Sequence, residues 1–268
     1  MKFQIILLLA TIVCSCLGAH IDLAKSDDVD SQIIGDIFTE DDLHGVIYVM
    51  KGKPGTPNTT QCVGTLINPV FVLTTATCIS GGKPSDYSVI AEQPFYNNGL
   101  LHKVVEIILH DDFEDNALKY WPHDIGLLRL DVQVNIINTG ISALPKRGHI
   151  RPNTGSVYGW GANCGFCGPS SYLKVLNDAF ISNSDDCSSL FYDGKGPADS
   201  SICAGSLTGF YGVCDGDSGA PIVSKGTIYG VASWLNYPCG SVPAVFTNVQ
   251  SHVEWIVRKM SATPLVPL

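Results

Sequence analysis

Three stretches far apart in the chain carry side chains that can do polar chemistry together. CDGDSGAP, residues 214–221, sets the hydroxyl of Ser218 between an acid and a glycine, shortly after a cysteine. HDIGLLRL, residues 123–130, opens an apolar strand-like run with Asp124. CVGTLINPVFVLTTATC, residues 62–78, is an apolar run bracketed by cysteines, with Thr77 just before the second. Acyl transfer needs a hydroxyl nucleophile, a base to take its proton and a carboxylate to orient the base. It also needs donors for the charge that develops on oxygen. A hydroxyl and a carboxylate are present. At Thr77 the third stretch offers only a second hydroxyl, which donates and accepts hydrogen bonds but is not basic near neutral pH.

These three motifs, in this order, resemble the trypsin- and chymotrypsin-like serine proteases. IIGD from Ile33, YGWG at 158–161 and SW at 233–234 carry the same resemblance, which runs from about Ile33 to the final helix. It implies Ser218 as nucleophile, Asp124 as orienting carboxylate and the N–H groups of Gly216 and Ser218 as oxyanion donors. Asp217 matches the acid that pairs with a freed amino terminus at Ile33. The family pattern places histidine where this chain has Thr77, so the resemblance implies a homologue without peptidase activity, acting by protein binding as a regulator or cofactor of extracellular proteolysis or defence. A weak or unusual endopeptidase preferring apolar residues is the alternative.

His123, next to Asp124, is the one candidate substitute base. Neighbours in an extended segment face opposite sides, so it is expected to point away from the side Asp124 faces. His44, His102, His110, His149 and His252 read as surface or structural. Asp124 also has a plain structural reading, as a buried carboxylate that accepts hydrogen bonds from backbone or Thr77.

Further departures from the family concern activation and specificity. Gln32 precedes Ile33, so an activator that cuts after basic residues has nothing to bind there. Gly212 stands where trypsins carry an aspartate in the specificity pocket. Leu235 after Ser233-Trp234, and Ala244, replace pocket glycines, and the leucine is expected to crowd the slot. The family's calcium loop corresponds to AEQPFYNNGLLHK, residues 91–103, which offers Glu92 and no second acid. No metal and no cofactor are expected.

The whole chain fits an exported protein. Residues 1–19 combine Lys2, an apolar stretch from Ile5 to Val13 and small residues up to Ala19, the pattern of a secretory signal peptide. Residues 20–32 form an acidic, leader-like segment. Of ten cysteines, Cys14 and Cys16 leave with the signal and eight remain, an even set that reads as a disulfide framework. The resemblance implies Cys62–Cys78, Cys187–Cys203 and Cys214–Cys239. CGFC, residues 164–167, lies in a glycine-rich loop, where a Cys164–Cys167 staple is preferred over a redox centre. Asn58 is an N-glycosylation acceptor. The net charge is −9, or −10 without Lys2, which argues against nucleic acid and anionic membranes as partners. LPKRGHIR, residues 144–151, reads as a solvated basic loop, with sulfated polysaccharide binding the remote alternative. Expected partners are extracellular proteins, such as proteases or their substrates, and a monomer is expected.

The elements that must position these residues are short β-rich runs separated by Gly, Pro, Asn and Asp. GVIYVM, KVVEIILH, IGLLRL, SVYGWG, PIVSKGTIYGVASW and AVFTNV all read as strands, with a hairpin turn at SKG, 224–226. Such spacing indicates an all-β chain with a pair of barrels or sandwiches. With the resemblance, the expectation becomes two packed six-stranded antiparallel β-barrels, spanning about 45–145 and 150–250 within a 33–268 domain. A C-terminal helix is expected over about 251–260, capped by Ser251 and Glu254, with Val253, Ile256, Val257 and Met260 on its apolar face.

Overall fold

The computed structural model describes residues 43–52, 59–92, 99–116, 121–162, 167–189, 200–209 and 211–262. The signal and leader segments, Ile33, Asn58 and Cys164 lie outside the described residues.

Twelve strands form two closed antiparallel barrels. The first contains β1 (Val46–Lys51), β2 (Thr60–Asn68), β3 (Phe71–Thr74), β4 (Tyr87–Ala91), β5 (Leu100–Leu109) and β6 (Gly126–Leu130). Their order around the barrel is β1-β2-β3-β6-β5-β4, and β4 closes onto β1. The second contains β7 (Thr154–Gly159), β8 (Lys174–Ile181), β9 (Ser201–Gly205), β10 (Pro221–Ser224), β11 (Thr227–Trp234) and β12 (Ala244–Asn248). It runs β10-β11-β12-β9-β8-β7 and closes through β7 and β10. Closure removes the unpaired edges that a single open sheet of such apolar strands would expose.

Each strand sends alternate residues inward. In β4, Tyr87, Val89 and Ala91 are buried while Ser88 and Ile90 are partly exposed. One apolar cluster runs through both barrels, from Val46, Tyr48 and Leu73 in the first to Val157, Ile222 and Phe246 in the second. A second cluster, built on Ile47, Leu66 and Leu128, fills the rest of the first barrel. The SKG hairpin turns through Lys225 and Gly226, both at positive φ (50° and 70°), the geometry of a tight two-residue connection.

The disulfides Cys62–Cys78, Cys187–Cys203 and Cys214–Cys239 are present. Cys167 is also disulfide-bonded. The first bridge ties β2 to the short helical turn Ala76–Ile79, which contains Thr77.

The C-terminal helix runs Val249–Ala262, two residues longer than expected at each end. Its cap is Asn248, whose side chain accepts from the Gln250 N–H at 3.1 Å. Ser251 instead donates to the Asn248 carbonyl, and Glu254 reaches out to Arg147 at 2.8 Å in the exposed basic loop. The buried face also differs from the expected one, because it includes His252, which an apolar periodicity does not count. Val249, His252, Trp255 and Ile256 are buried, whereas Val257 is exposed and Val253 and Met260 are partly covered.

Candidate functional site

Where the barrels meet, three segments converge on Asp124. Its carboxylate is fully buried at the entry to β6. Thr77 donates its backbone N–H to Oδ1 at 2.7 Å and its hydroxyl to Oδ2 at 3.0 Å. Ser233, from β11 of the other barrel, donates its hydroxyl to Oδ2 at 2.6 Å, and the Ala76 amide adds a further bond. Thr247 of β12 donates to the Asp124 backbone carbonyl at 2.8 Å. Asp124 therefore joins the barrels as well as facing the cleft. No imidazole contacts its carboxylate among the described residues. His123 sits at positive φ (54°) and turns its ring to His252 instead.

Ser218 lies half-buried on the loop before β10. Its backbone carbonyl accepts from the Val63 N–H at 2.8 Å, which fixes the loop against the first barrel. Its hydroxyl makes no hydrogen bond among the described residues. The Asp215 carbonyl accepts from the Ala162 N–H at 2.7 Å. A trans peptide points its N–H opposite to its C=O, so this bond turns the Gly216 N–H the other way. Neither the Gly216 nor the Ser218 N–H finds a protein acceptor among the described residues. Two amides and one hydroxyl of this loop are thus left without a protein partner among the described residues.

Asp217 is fully buried beneath this loop. It accepts from the Gly161 N–H at 2.7 Å and the Cys214 N–H at 2.9 Å. The fit is close: a Cβ on Gly161 would lie 2.0 Å from the Asp217 carboxylate.

A cavity of about 190 Å³ opens beside Ser218. Ser233, Trp234 and Leu235 line one wall, and Cys214, Asp215 and Tyr237 line another. Leu235, part of the lining, packs on Ala162 and the Cys214–Cys239 bridge. Tyr237 donates its hydroxyl to Asp215, and that bond ties two parts of the rim together. Gly212 and Ala244 are buried outside the lining: Gly212 abuts Gly240, and Ala244 belongs to the main core. Tyr237 and Asp215 were not singled out from sequence. The only available signal was their closeness in sequence to Cys239 and Ser218.

Burial pushes the Asp124 carboxyl up to about 6 against the hydrogen bonds from Ser233 and Thr77, and pushes Asp217 up to about 7 against its two amides. A carboxyl raised on folding keeps its proton where the unfolded chain has lost it. Its contribution to stability therefore falls as pH rises from the unfolded value through the folded one. Burial lowers His252 and, with its two neighbouring imidazoles, holds His110 down to about 4. Those two groups work in the opposite direction over part of the same range, so the slope for the whole protein mixes both. The difference between Asp124→Asn and the parent isolates the carboxyl. From pH 4 to 7 the variant should gain roughly 3 kcal/mol on the parent, two pKa units at 1.36 kcal/mol each. Urea unfolding at several pH values measures it. A difference that stays flat with pH would show that Asp124 is not raised.

Comparison with known proteins gives a consistent picture. A sequence model of the family described as Trypsin matches residues 44–256. The chain is 33% identical over 208 residues to the thrombin-like enzyme elegaxobin-1 of Protobothrops elegans, covering 73% of this chain and 84% of that protein. It is 29% identical over 264 residues to trypsin theta of Drosophila melanogaster, covering 95% of this chain and 97% of that one. Among solved structures, that of the scabies mite inactivated protease paralogue S-D1 superposes with a TM-score of 0.74 at 22% identity. It covers 85% of this chain and 97% of the other, and at that identity the likeness shows the fold alone.

Proposed function

The chain belongs to the trypsin family of serine proteases, and within it we propose a non-catalytic member that is exported and acts by binding protein. One observation carries this reading. The residue that meets Asp124 from the Ala76–Ile79 turn is Thr77, and both its amide and its hydroxyl are bonded to the carboxylate. A hydroxyl held in this way does not take the proton of Ser218 at neutral pH. In a comparable triad, loss of the histidine alone costs about 10⁶-fold in turnover, or roughly 8 kcal/mol of transition-state stabilisation. The open amides of Gly216 and Ser218 do not make up such a deficit.

The disulfides and the apolar segment at 1–19 support export. Its partners are extracellular proteins, among them proteases or their substrates, engaged by a monomer. The second reading is a weak endopeptidase that borrows a histidine from its substrate. It is favoured by the unengaged Ser218 hydroxyl and the cavity beside it.

The expected result is no hydrolysis of casein or short peptide esters above the level given by Ser218→Ala, together with no labelling by a fluorophosphonate probe. Turnover within tenfold of ordinary family enzymes, and abolished by Ser218→Ala, would overturn the proposal. Cleavage confined to peptides with histidine beside the scissile bond would establish the second reading.

A further inference from the structure

Three histidines from distant parts of the chain come together. His110 follows β5, His123 precedes Asp124 and His252 lies in the C-terminal helix. One ring nitrogen of each lies within 4.8 Å of those of the other two. From sequence they read as separate surface or structural residues.

The ring states follow from the bonding. His252 is almost fully buried, and its Nδ1 lies 2.7 Å from the Asn248 carbonyl. A carbonyl only accepts, so Nδ1 carries the hydrogen and Nε2 presents a lone pair. That lone pair faces His123 Nδ1 at 3.1 Å, which donates to it. A histidine whose second nitrogen is tied to a backbone carbonyl is the usual form of a metal-ligating imidazole, fixed in tautomer and orientation. Two nitrogens bound tetrahedrally at about 2.0–2.1 Å from zinc stand about 3.4 Å apart. His123 and His252 are already close to that spacing.

The N–H···N bond aims these two nitrogens at each other, so both rings must turn by about 35° to face a shared tetrahedral ion, and the third ring has to move further. His110 stacks on His123 with centroids 4.7 Å apart and an interplanar angle of 8°. Lone pairs lie in the ring planes, so parallel rings aim theirs side by side rather than at one point. His110 is half-exposed, and its Nδ1 is held only by the Asp112 N–H at 3.2 Å. Turning out of the stack releases that amide to water, since Asp112 is exposed.

We infer that His110, His123 and His252 form a binding site for a divalent transition ion of the zinc type, with water in the remaining position. Neutral imidazoles suit zinc, copper and nickel rather than calcium or magnesium. On binding, His123 moves its proton from Nδ1 to Nε2, so no net proton is released. His110 completes the site by rotating.

Cobalt(II) titration of the full-length protein, expressed without a histidine tag, tests this. One equivalent should bind, give the visible absorption of a four- or five-coordinate ion, and be displaced by zinc. His110→Phe keeps a ring stacked on His123 and Trp255 but removes the ligand, and His123→Asn tolerates the positive φ. Each should weaken binding at least about tenfold, the lower limit seen even for losing a supporting partner. No cobalt bound at about 1 mM, the range of the weakest contacts, would overturn the site. Unchanged affinity in both variants would place the ion elsewhere. Loss in His123→Asn alone would leave a two-histidine site and overturn the role of His110. If His123→Asn does not fold, His110→Phe decides.

Discussion

Gly219→Ala is expected to abolish accumulation of folded protein. Gly219 follows Ser218 at φ +84°, a conformation that costs alanine roughly 1–2 kcal/mol. The larger effect is steric. A Cβ there would lie 2.1 Å from the Val63 carbonyl oxygen and 2.3 Å from the Thr74 hydroxyl. Neither has room to withdraw. Thr74 is fully buried and donates to the Val63 carbonyl at 2.8 Å, while the Val63 N–H is bound to Ser218. Relief requires the barrels to part at the cleft. The total should exceed about 4 kcal/mol, a large share of the 5–15 kcal/mol that a domain has. Gly226→Ala is the control. It has a similar φ of +70° but nothing within 4 Å, so it should cost only the backbone strain. Secreted yield and urea midpoints of the two variants measure the contrast. Similar behaviour would mean that the loop can shift and that the Ser218 segment is not clamped.

The same clamp shows what the sequence made legible. The β-rich runs around Val46–Met50, Gly126–Leu130 and Pro221–Trp234 could be read from alternation and turn residues, because those signals are local. The closure of the barrels and the pairing of Cys214 with Cys239 were reached only through the resemblance. No local pattern says which strand β4 closes upon. The C-terminal helix was found, but its face was misread, because its buried residues include His252, which counts as polar in any apolar periodicity. For the same reason the three histidines stayed separate. Residues 110, 123 and 252 meet only after β5, β6 and the helix have packed. Thr77 was the reverse case. A bond from it to Asp124 was one of the readings open from sequence, and the structure adds that its amide joins its hydroxyl on the same carboxylate. The Tyr237–Asp215 bond left no readable trace, since both residues belong to loops.

On the proposed non-catalytic reading, Thr77→His on its own is expected to give little activity. An imidazole at 77 gives its Nδ1–H to Asp124 in place of the threonine hydroxyl and turns Nε2 toward Ser218, which restores the proton path. Leu235 is the first obstacle to test: it lines the cavity beside Ser218 and packs on Ala162 and the Cys214–Cys239 bridge. A substrate kept out of that cavity loses the fixed position that makes attack by Ser218 effectively intramolecular. Asp217 is the second obstacle. Burial pushes its carboxyl up to about 7 against the two amides that favour its ionised form. An ammonium at Ile33 would keep it ionised and steady the loop above it, and Gln32 prevents a tryptic activator from producing that terminus. The triple variant Thr77→His, Leu235→Gly, Gln32→Arg, cut with trypsin, should therefore hydrolyse tyrosyl esters at least about 10³-fold faster than the parent, and the single variant at least about 10²-fold slower than the triple. The double variant without Gln32→Arg separates the two obstacles: activity close to the triple puts the defect in Leu235, and activity close to the single puts it in Asp217. If Thr77→His alone matches the triple, the cavity was never blocked, and the exchange of histidine for threonine accounts for the whole loss.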